Sequence, residues 1–167
     1  MKISILTLFP EMFDGFKETS IIKKAILKEH VHLDIVDMRS FTEDKHNRVD
    51  DYPYGGGAGL VLMCQPVVDA IESVRTDEST VVLLSPQGPT FNQKMAYEFA
   101  EFKHLVLVCG HYEGFDERIR DYVDMELSIG DFVLTGGEVA AMVVSDAVIR
   151  LVDGVITKES HEDDSFS

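Results

Sequence analysis

The sequence predicts an α/β fold with a mostly parallel sheet flanked by helices. Short runs rich in Val, Ile and Leu alternate with amphipathic segments of helical length, the order expected of strands joined by crossover helices. The apolar runs are nearly continuous, which is typical of strands covered on both faces. With 167 residues and 45% hydrophobic side chains, the chain is long enough for one substantial core, and we expect one domain.

Five strands and five helices follow from this alternation. We predict strands over residues 2–8, 32–38, 80–84, 105–109 and, shorter, 125–127. We predict helices over residues 20–28, 66–75, 92–102, 115–122 and 138–151. Pro66 falls in the first turn of its helix, where proline is tolerated. Residues 158–167 are polar and acidic without periodicity, so we expect a linker or tail there.

Composition narrows the functional classes. The early apolar run, residues 3–9, stops at Pro10 and Glu11, well short of the ~20 apolar residues that span a bilayer. It also lacks the charged start and cleavage site of a signal peptide, so we expect a cytoplasmic protein with no membrane partner. Cys64 and Cys109 have no paired spacing, which argues against a disulfide framework or a zinc site. The net charge of -15 alone favours a small-molecule enzyme over a nucleic-acid binder.

Three glycine-containing loops are the main functional signal. Residues 55–59 (GGGAG) lack the spacing of a dinucleotide fingerprint, and the sequence has no Walker lysine, HExxH pair or CxxC pair. Residues 85–89, 110–114 and 129–137, in contrast, each directly follow a predicted strand, where open α/β sheets bind their ligands. Each loop alone could be an ordinary βα turn. Together they predict a pocket for a flat, largely uncharged ligand such as adenosine.

Two polar residues outside these loops are candidates for chemistry. Arg150 ends the last predicted helix, where an arginine can equally well cap the carboxyl end of the helix. Asp164 lies in the polar segment at residues 161–166 (HEDDSF), which could equally be a solvated acidic run. The residues alone leave both alternatives open.

Six motifs together carry a resemblance to a known family. In chain order they are LTLFPEMF (residues 6–13), VDDYPYGGGAG (49–59), SPQG (85–88), CGHYEGFDERI (109–119), IGDFVLTGGE (129–138) and DSFS (164–167). Over essentially its whole length the chain resembles the bacterial tRNA (guanine-N1)-methyltransferases of the SPOUT class. The resemblance implies a deep C-terminal trefoil knot, which the usual connection rules would not predict. It also implies that residues 1–157 form the catalytic domain, that residues 158–167 begin an interdomain linker, and that a C-terminal tRNA-binding domain is absent from this chain.

The resemblance further implies an activity and its residues. The family transfers a methyl group from S-adenosyl-L-methionine to N1 of the guanosine immediately 3′ of the tRNA anticodon, which supports reading-frame maintenance. Asp164 matches its general base and Arg150 its cation at guanine O6, in a homodimer whose active site is shared between subunits. Magnesium is associated with the family, but no ligand spacing here supports it and we predict no metal ligands. The expected cofactor-binding residues are Leu84, Ser85, Pro86, Gly110, Tyr112, Glu113, Ile129, Gly130, Asp131, Phe132, Val133, Leu134, Gly136 and Gly137.

Two departures and two rival interpretations accompany this resemblance. Ala58 stands where many members carry glutamine or proline, and His111 stands where some carry arginine. One rival is a dimeric module that binds S-adenosyl-L-methionine without tRNA binding or turnover. The other is a regulatory α/β domain for a different nucleotide, which only the generic placement of the loops would support.

Overall fold

The computed structural model describes residues 1–53, 55–111 and 113–166. The strands are β1 (Lys2–Thr7), β2 (His32–Asp37), β3 (Asp50–Asp51), β4 (Val61–Leu62), β5 (Ser79–Leu84), β6 (His104–Cys109) and β7 (Met125–Leu127). The α-helices are α1 (Asp14–Lys17), α2 (Ser20–Leu27), α3 (Cys64–Val74), α4 (Gln93–Ala100), α5 (Glu138–Ile149) and α6 (Lys158–Glu162). Three 3₁₀ helices span Pro10–Phe13, Met38–Phe41 and Glu117–Tyr122.

The five longer strands pair into one parallel sheet in the order β2-β1-β6-β5-β7, which confirms the predicted class. The remaining two, β3 and β4, form a separate antiparallel pair. Because all five strands run the same way, their carboxyl ends share one edge, and the loops that leave them are neighbours in space. The trefoil knot implied by the resemblance stays a prediction.

Alternating side chains of the sheet supply two hydrophobic cores. On one face, side chains such as Ile5 and Leu107 pack under α2, α4 and α5. On the other, Leu6, Val108 and their neighbours pack under α3 and the 3₁₀ segments. Every one of these strand side chains is fully buried, which explains why their sequence runs are continuously apolar.

Helix α5 is apolar around nearly its whole circumference. Its inner side chains, among them Ala141, Val144 and Val148, are fully buried against the sheet. Val139 and Val143, one turn apart, are nonetheless 46% and 43% exposed. A helix with apolar side chains on opposite sides is usually covered by other parts of a protein on both of those sides.

The structure corrects several predicted element boundaries. Residues 115–122, predicted as an α-helix, form the shorter 3₁₀ helix Glu117–Tyr122, which begins where the Asp116 carboxylate accepts the Arg118 N–H. Helix α3 begins two residues before Pro66, at Cys64. The segment predicted as a linker or tail contains the single turn of α6. The pair β3–β4 was not predicted, since two-residue strands show no measurable period.

Two sequence-based expectations, about the cysteines and about membrane-spanning segments, can be compared with the structure. Cys64 is half-buried, Cys109 is buried, and both are free thiols. Among the helices of the described chain, none combines the length and apolar character that crossing a bilayer requires.

Candidate active site

The carboxyl ends of β5, β6 and β7 open into a cleft of about 1220 Å³. In the sheet register Leu84 pairs with both Cys109 and Leu127, so these three strands end level with one another. The three glycine-containing loops predicted to bind a ligand begin at this edge and form much of the cleft wall. A volume of this size accommodates a ligand as large as a nucleoside with a side chain.

The first loop, which follows β5, is bound to the end of β7. The Ser85 N–H donates to the Leu127 carbonyl (2.9 Å), and the Phe91 N–H donates to the Ser128 carbonyl (2.7 Å). A Cβ added to Gly88 would lie 2.5 Å from the Leu127 nitrogen, a backbone atom that cannot move aside. Glycine is therefore required where the first loop crosses β7.

The second and third loops meet just as closely. The Gly137 N–H donates to the Gly110 carbonyl (2.8 Å), and His111 and Gly136 form an antiparallel bridge. A Cβ on Gly137 would lie 2.8 Å from the Cys109 Cα. Because the glycines at this crossing have no side chains, their backbone amide groups line the cleft.

Most of the predicted cofactor-binding residues line the cleft. Those that do are Leu84, Ser85, Pro86, Gly110, Glu113, Ile129, Gly130, Phe132, Val133, Leu134, Gly136 and Gly137. Asp131 is exposed and is not part of this lining, and Tyr112 lies outside the described residues. Apolar side chains such as Phe132 (52% exposed) combine with glycine backbone here, which suits a flat heterocycle held by amides between apolar walls.

A buried acid lies behind this lining, next to a histidine that is part of it. Glu138, the first residue of α5, is 2% exposed, and its Oε1 lies 3.4 Å from the His111 Nε2. Burial raises the pKa of Glu138 to about 7, against the smaller opposing effects of its own backbone N–H and the Thr7 hydroxyl. Burial also lowers the pKa of His111. Neither residue was predicted as a site residue, and the sequence marked His111 only as a departure from the family pattern. The pair was missed because the two residues become neighbours only in the fold.

Arg120 is a second group that the sequence did not single out. Its guanidinium contacts Gln87 Oε1 of the first loop (2.7 Å), Glu117 Oε2 (2.7 Å) and Glu126 Oε1 of β7 (2.5 Å). It also lies 5.3 Å from the centre of the Phe115 ring. Arg120 therefore ties the first loop to β7 and to the segment after the second loop.

The predicted catalytic residues lie together, but away from the cleft. Arg150 Nη2 is 2.6 Å from Asp164 Oδ2, and the two side chains are 30% and 32% exposed. Arg150 immediately follows α5, whose other end contributes Gly137 and Ala140 to the cleft. The 12 residues of α5 separate its ends by about 18 Å at ~1.5 Å per residue.

Residues 1–53, 55–111 and 113–166 contain no group of three or more His, Cys, Asp or Glu side chains arranged to hold a metal ion. The glycine-lined cleft, by contrast, fits an adenosine-containing cofactor, because it offers both amide groups and apolar walls.

The fold and this cleft define an α/β protein with a ligand-sized cleft beyond the carboxyl ends of its parallel strands, the place where such sheets usually bind ligands. Residues 1–167 match the family model of tRNA (Guanine-1)-methyltransferase TrmD, and the chain belongs to that family. It is 60% identical to the tRNA (guanine-N(1)-)-methyltransferase of Malacoplasma penetrans over 99% of this chain and 74% of the relative. Enzymes of the same name from Listeria monocytogenes (56% identity, 100% of this chain, 71% of the relative) and Clostridium botulinum (55%, 99% and 70%) are similar to it as well.

Proposed function

We infer that this chain transfers a methyl group from S-adenosyl-L-methionine to N1 of the guanosine immediately 3′ of the tRNA anticodon. The observation that carries this is the glycine-lined cleft at the carboxyl edge of the sheet, in a chain that belongs to the methyltransferase family. The cleft residues named above would hold the cofactor, which supplies a methyl group on a positively charged sulfur when bound.

The Arg150–Asp164 pair supports the chemistry at the guanine. Methylation of N1 requires the loss of the N1 proton while negative charge grows on O6. The Asp164 carboxylate accepts that proton, and the Arg150 guanidinium donates to O6, an acceptor that the arginine fork matches. As the N1–CH₃ bond forms, the S–CH₃ bond breaks and leaves neutral S-adenosyl-L-homocysteine. Before guanine enters, the two side chains satisfy each other's charge at 2.6 Å.

The length of α5 supports an active site shared between two copies of the chain. Reacting atoms must approach to ~3–3.5 Å for methyl transfer. Arg150 and Asp164 lie at the opposite end of α5 from the cleft of their own subunit. If a second copy of the chain places its cleft against the Arg150 end of α5 in the first, Arg150 and Asp164 of the first copy lie next to that cleft.

The exposed apolar side chains supply a surface for that second copy. Val139 and Val143 on α5, Met12 on the 3₁₀ helix Pro10–Phe13, and Ile21 on α2 are each more than 40% exposed. Both of the latter elements pack against α5, so the four side chains lie on neighbouring elements. Apolar groups clustered in this way mark protein interfaces. The homodimer is thus proposed on two grounds: the distance between Arg150 and the cleft of its own chain, and the exposed apolar surface beside α5.

Methyl transfer to tRNA transcripts tests the proposed function. The purified chain is incubated with labelled S-adenosyl-L-methionine and a transcript that carries guanosine 3′ of the anticodon, beside a transcript with adenosine there. We expect label on the first transcript only, at N1. Cofactor binding without transfer to either transcript would favour the alternative module that does not turn over. Transfer to both would contradict the assigned nucleotide.

A further inference from the structure

A buried carboxylate lies directly behind the backbone that lines the cleft. Glu138 is 2% exposed and belongs to the first turn of α5, where the helix dipole favours negative charge. The preceding residues, Gly136 and Gly137, line the cleft, whereas Glu138 points behind them toward β1 and β6. The acid is therefore placed to act on the cleft lining without contacting what the cleft holds.

The groups around Glu138 come from three elements. His111, after β6, approaches to 3.4 Å, and the Thr7 hydroxyl of β1 lowers the Glu138 pKa. The Cys109 thiol of β6 also faces it, and the pKa of this thiol is raised by burial and by the Glu138 charge. Within the described part of the chain, neither carboxylate oxygen accepts a hydrogen bond of regular geometry. A fully buried carboxylate with long contacts gains stability when those contacts shorten.

His111 connects Glu138 to the Gly136 backbone of the cleft lining. The histidine backbone pairs with Gly136, and a Cβ added to Gly136 would lie 2.4 Å from the imidazole Cδ2 and 3.2 Å from Glu138 Oε2. On the other side, the Phe9 ring centre is 4.9 Å from that of His111. Phe9, Gly136 and Glu138 thus surround part of the imidazole, and His111 also lines the cleft.

We propose that Glu138 is a positioning residue for the cofactor: its carboxylate holds the His111 imidazole, which in turn fixes the Gly136–Gly137 backbone of the cleft. The proposal deepens, and rests on, the proposed function, because the cleft must bind the cofactor for the positioning to be seen. It also gives a role to Thr7 and Phe9 of the LTLFPEMF motif, which support the pair from β1 and from the residues that follow it.

The charge state of the pair gives the proposal a measurable signature. The pKa of Glu138 is about 7, so the acid ionises between about pH 6 and about pH 8, and the lowered pKa of His111 favours a neutral imidazole beside it. A hydrogen bond from an imidazole N–H to a carboxylate is stronger than one to a neutral acid. Cofactor affinity should therefore rise as the pH rises through this window, and binding near pH 7 should release a proton.

Calorimetric titration of the full chain with S-adenosyl-L-homocysteine and with S-adenosyl-L-methionine tests this. Glu138→Gln keeps the shape of the side chain and removes its charge. At about pH 8 we expect this variant to bind both ligands roughly tenfold more weakly than the wild type, the loss expected for a hydrogen bond to a charged group. The wild-type gain in affinity from pH 6 to pH 8 should be absent in Glu138→Gln. The ligand's own amino group titrates equally in both proteins, so their difference isolates Glu138.

Two further variants keep the result interpretable. Glu98→Gln, on the exposed side of α4, removes a carboxylate far from the cleft and should reproduce the wild-type pH profile. His111→Gln should lose the pH dependence in the same way as Glu138→Gln, and because His111 is only partly buried it tests the proposal even if the Glu138 variant fails to fold.

Each outcome decides a separate claim. A Glu138→Gln or His111→Gln profile parallel to that of the wild type would overturn the positioning role while leaving cofactor binding intact. Loss of affinity for the sulfonium ligand alone would also overturn it, since direct attraction of charge, not positioning, would then be at work. A wild type that binds neither ligand would overturn the proposed function and this inference with it.

Discussion

Arg150 Nη2 and Asp164 Oδ2 lie 2.6 Å apart within one chain, although α6 and the segment that joins it to α5 separate the two residues in sequence. Both side chains are about a third exposed, so the pair contributes little to stability, at most about 1 kcal/mol. We attribute this ion pair, which contributes little to folding, to the chemistry proposed above for the guanine. The predictions below follow from this arrangement and from the loops that form the cleft.

Asp164→Asn removes the proposed base and keeps the shape of the side chain. We expect methyl transfer to tRNA to fall by about a hundredfold or more, because general base catalysis contributes about 10²–10⁴-fold. Affinity for S-adenosyl-L-homocysteine should be nearly unchanged, since the proposed contact of Asp164 is with the guanine and not with the cofactor. Single-turnover rates and calorimetry measure the two quantities. An unchanged rate would remove Asp164 from the mechanism.

Gly137→Ala places a Cβ 2.8 Å from the Cys109 Cα, in the crossing of the second and third loops. Because the obstacle is backbone, we expect a loss of about 1–3 kcal/mol in the free energy of unfolding, the usual range for overpacking. Gly15→Ala is the matched control, since its Cβ would meet no atom within 4 Å and alanine favours the helix. Urea unfolding measures both. Equal stability of the two variants would contradict the tight crossing described above.

Arg120→Met keeps an apolar side chain of similar length and removes the guanidinium with its contacts to Phe115, Gln87, Glu117 and Glu126. We expect cofactor affinity to fall by about fivefold, equivalent to about 1 kcal/mol, because these pairs are partly exposed and therefore weak. Lys103→Met is the control. It breaks the exposed pair with Glu78, away from the cleft, and should leave binding unchanged. Wild-type affinity in Arg120→Met would show that the first loop does not depend on Arg120.

His104 should make the fold sensitive to acid. Its ring bridges Ser4 Oγ (2.8 Å) and Ser79 Oγ (2.6 Å), and burial, with a smaller contribution from Lys2, lowers its pKa below 6.5. A depressed pKa means that the fold favours neutral histidine, so this stabilisation is present above pH 6.5 and is lost as the pH falls through the folded-state pKa. Urea unfolding at about pH 7.5 and about pH 5 measures the loss.

His104→Gln should show a smaller decrease in stability between the two pH values than the wild type does. His32→Gln, at the exposed start of β2, is the control and should behave like the wild type. An identical pH dependence in all three proteins would remove His104 as a source of acid sensitivity.

The sequence was most informative where one strand or one loop determines the structure alone. β5 and β6 could be predicted because, after their polar first residues, both runs are continuously apolar and buried. The cleft could be predicted because loops that follow parallel strands converge on one edge. Arg120 could not, since its partner Gln87 is 33 positions away and becomes a neighbour only when the first loop is bound to β7. Glu138 resembled an ordinary acid at a helix start, and its burial arises from the packing of α5 against β1 and β6.

The most direct test of the central claim, methyl transfer by a site shared between two copies of this chain, is a subunit-mixing experiment. Asp164→Ala retains an intact cleft, and Gly136→Val blocks the cleft, where a Cβ already meets His111 at 2.4 Å, but retains Asp164. Each variant alone should be inactive toward tRNA. After the two are unfolded and refolded together, the mixed dimer combines one intact cleft with the other subunit's Asp164. We predict that methyl transfer to the guanosine then returns to about a quarter of the wild-type rate, since half of the dimers are mixed and each has one working site. Mixtures as inactive as their components, with mixed dimers formed, would contradict the shared site.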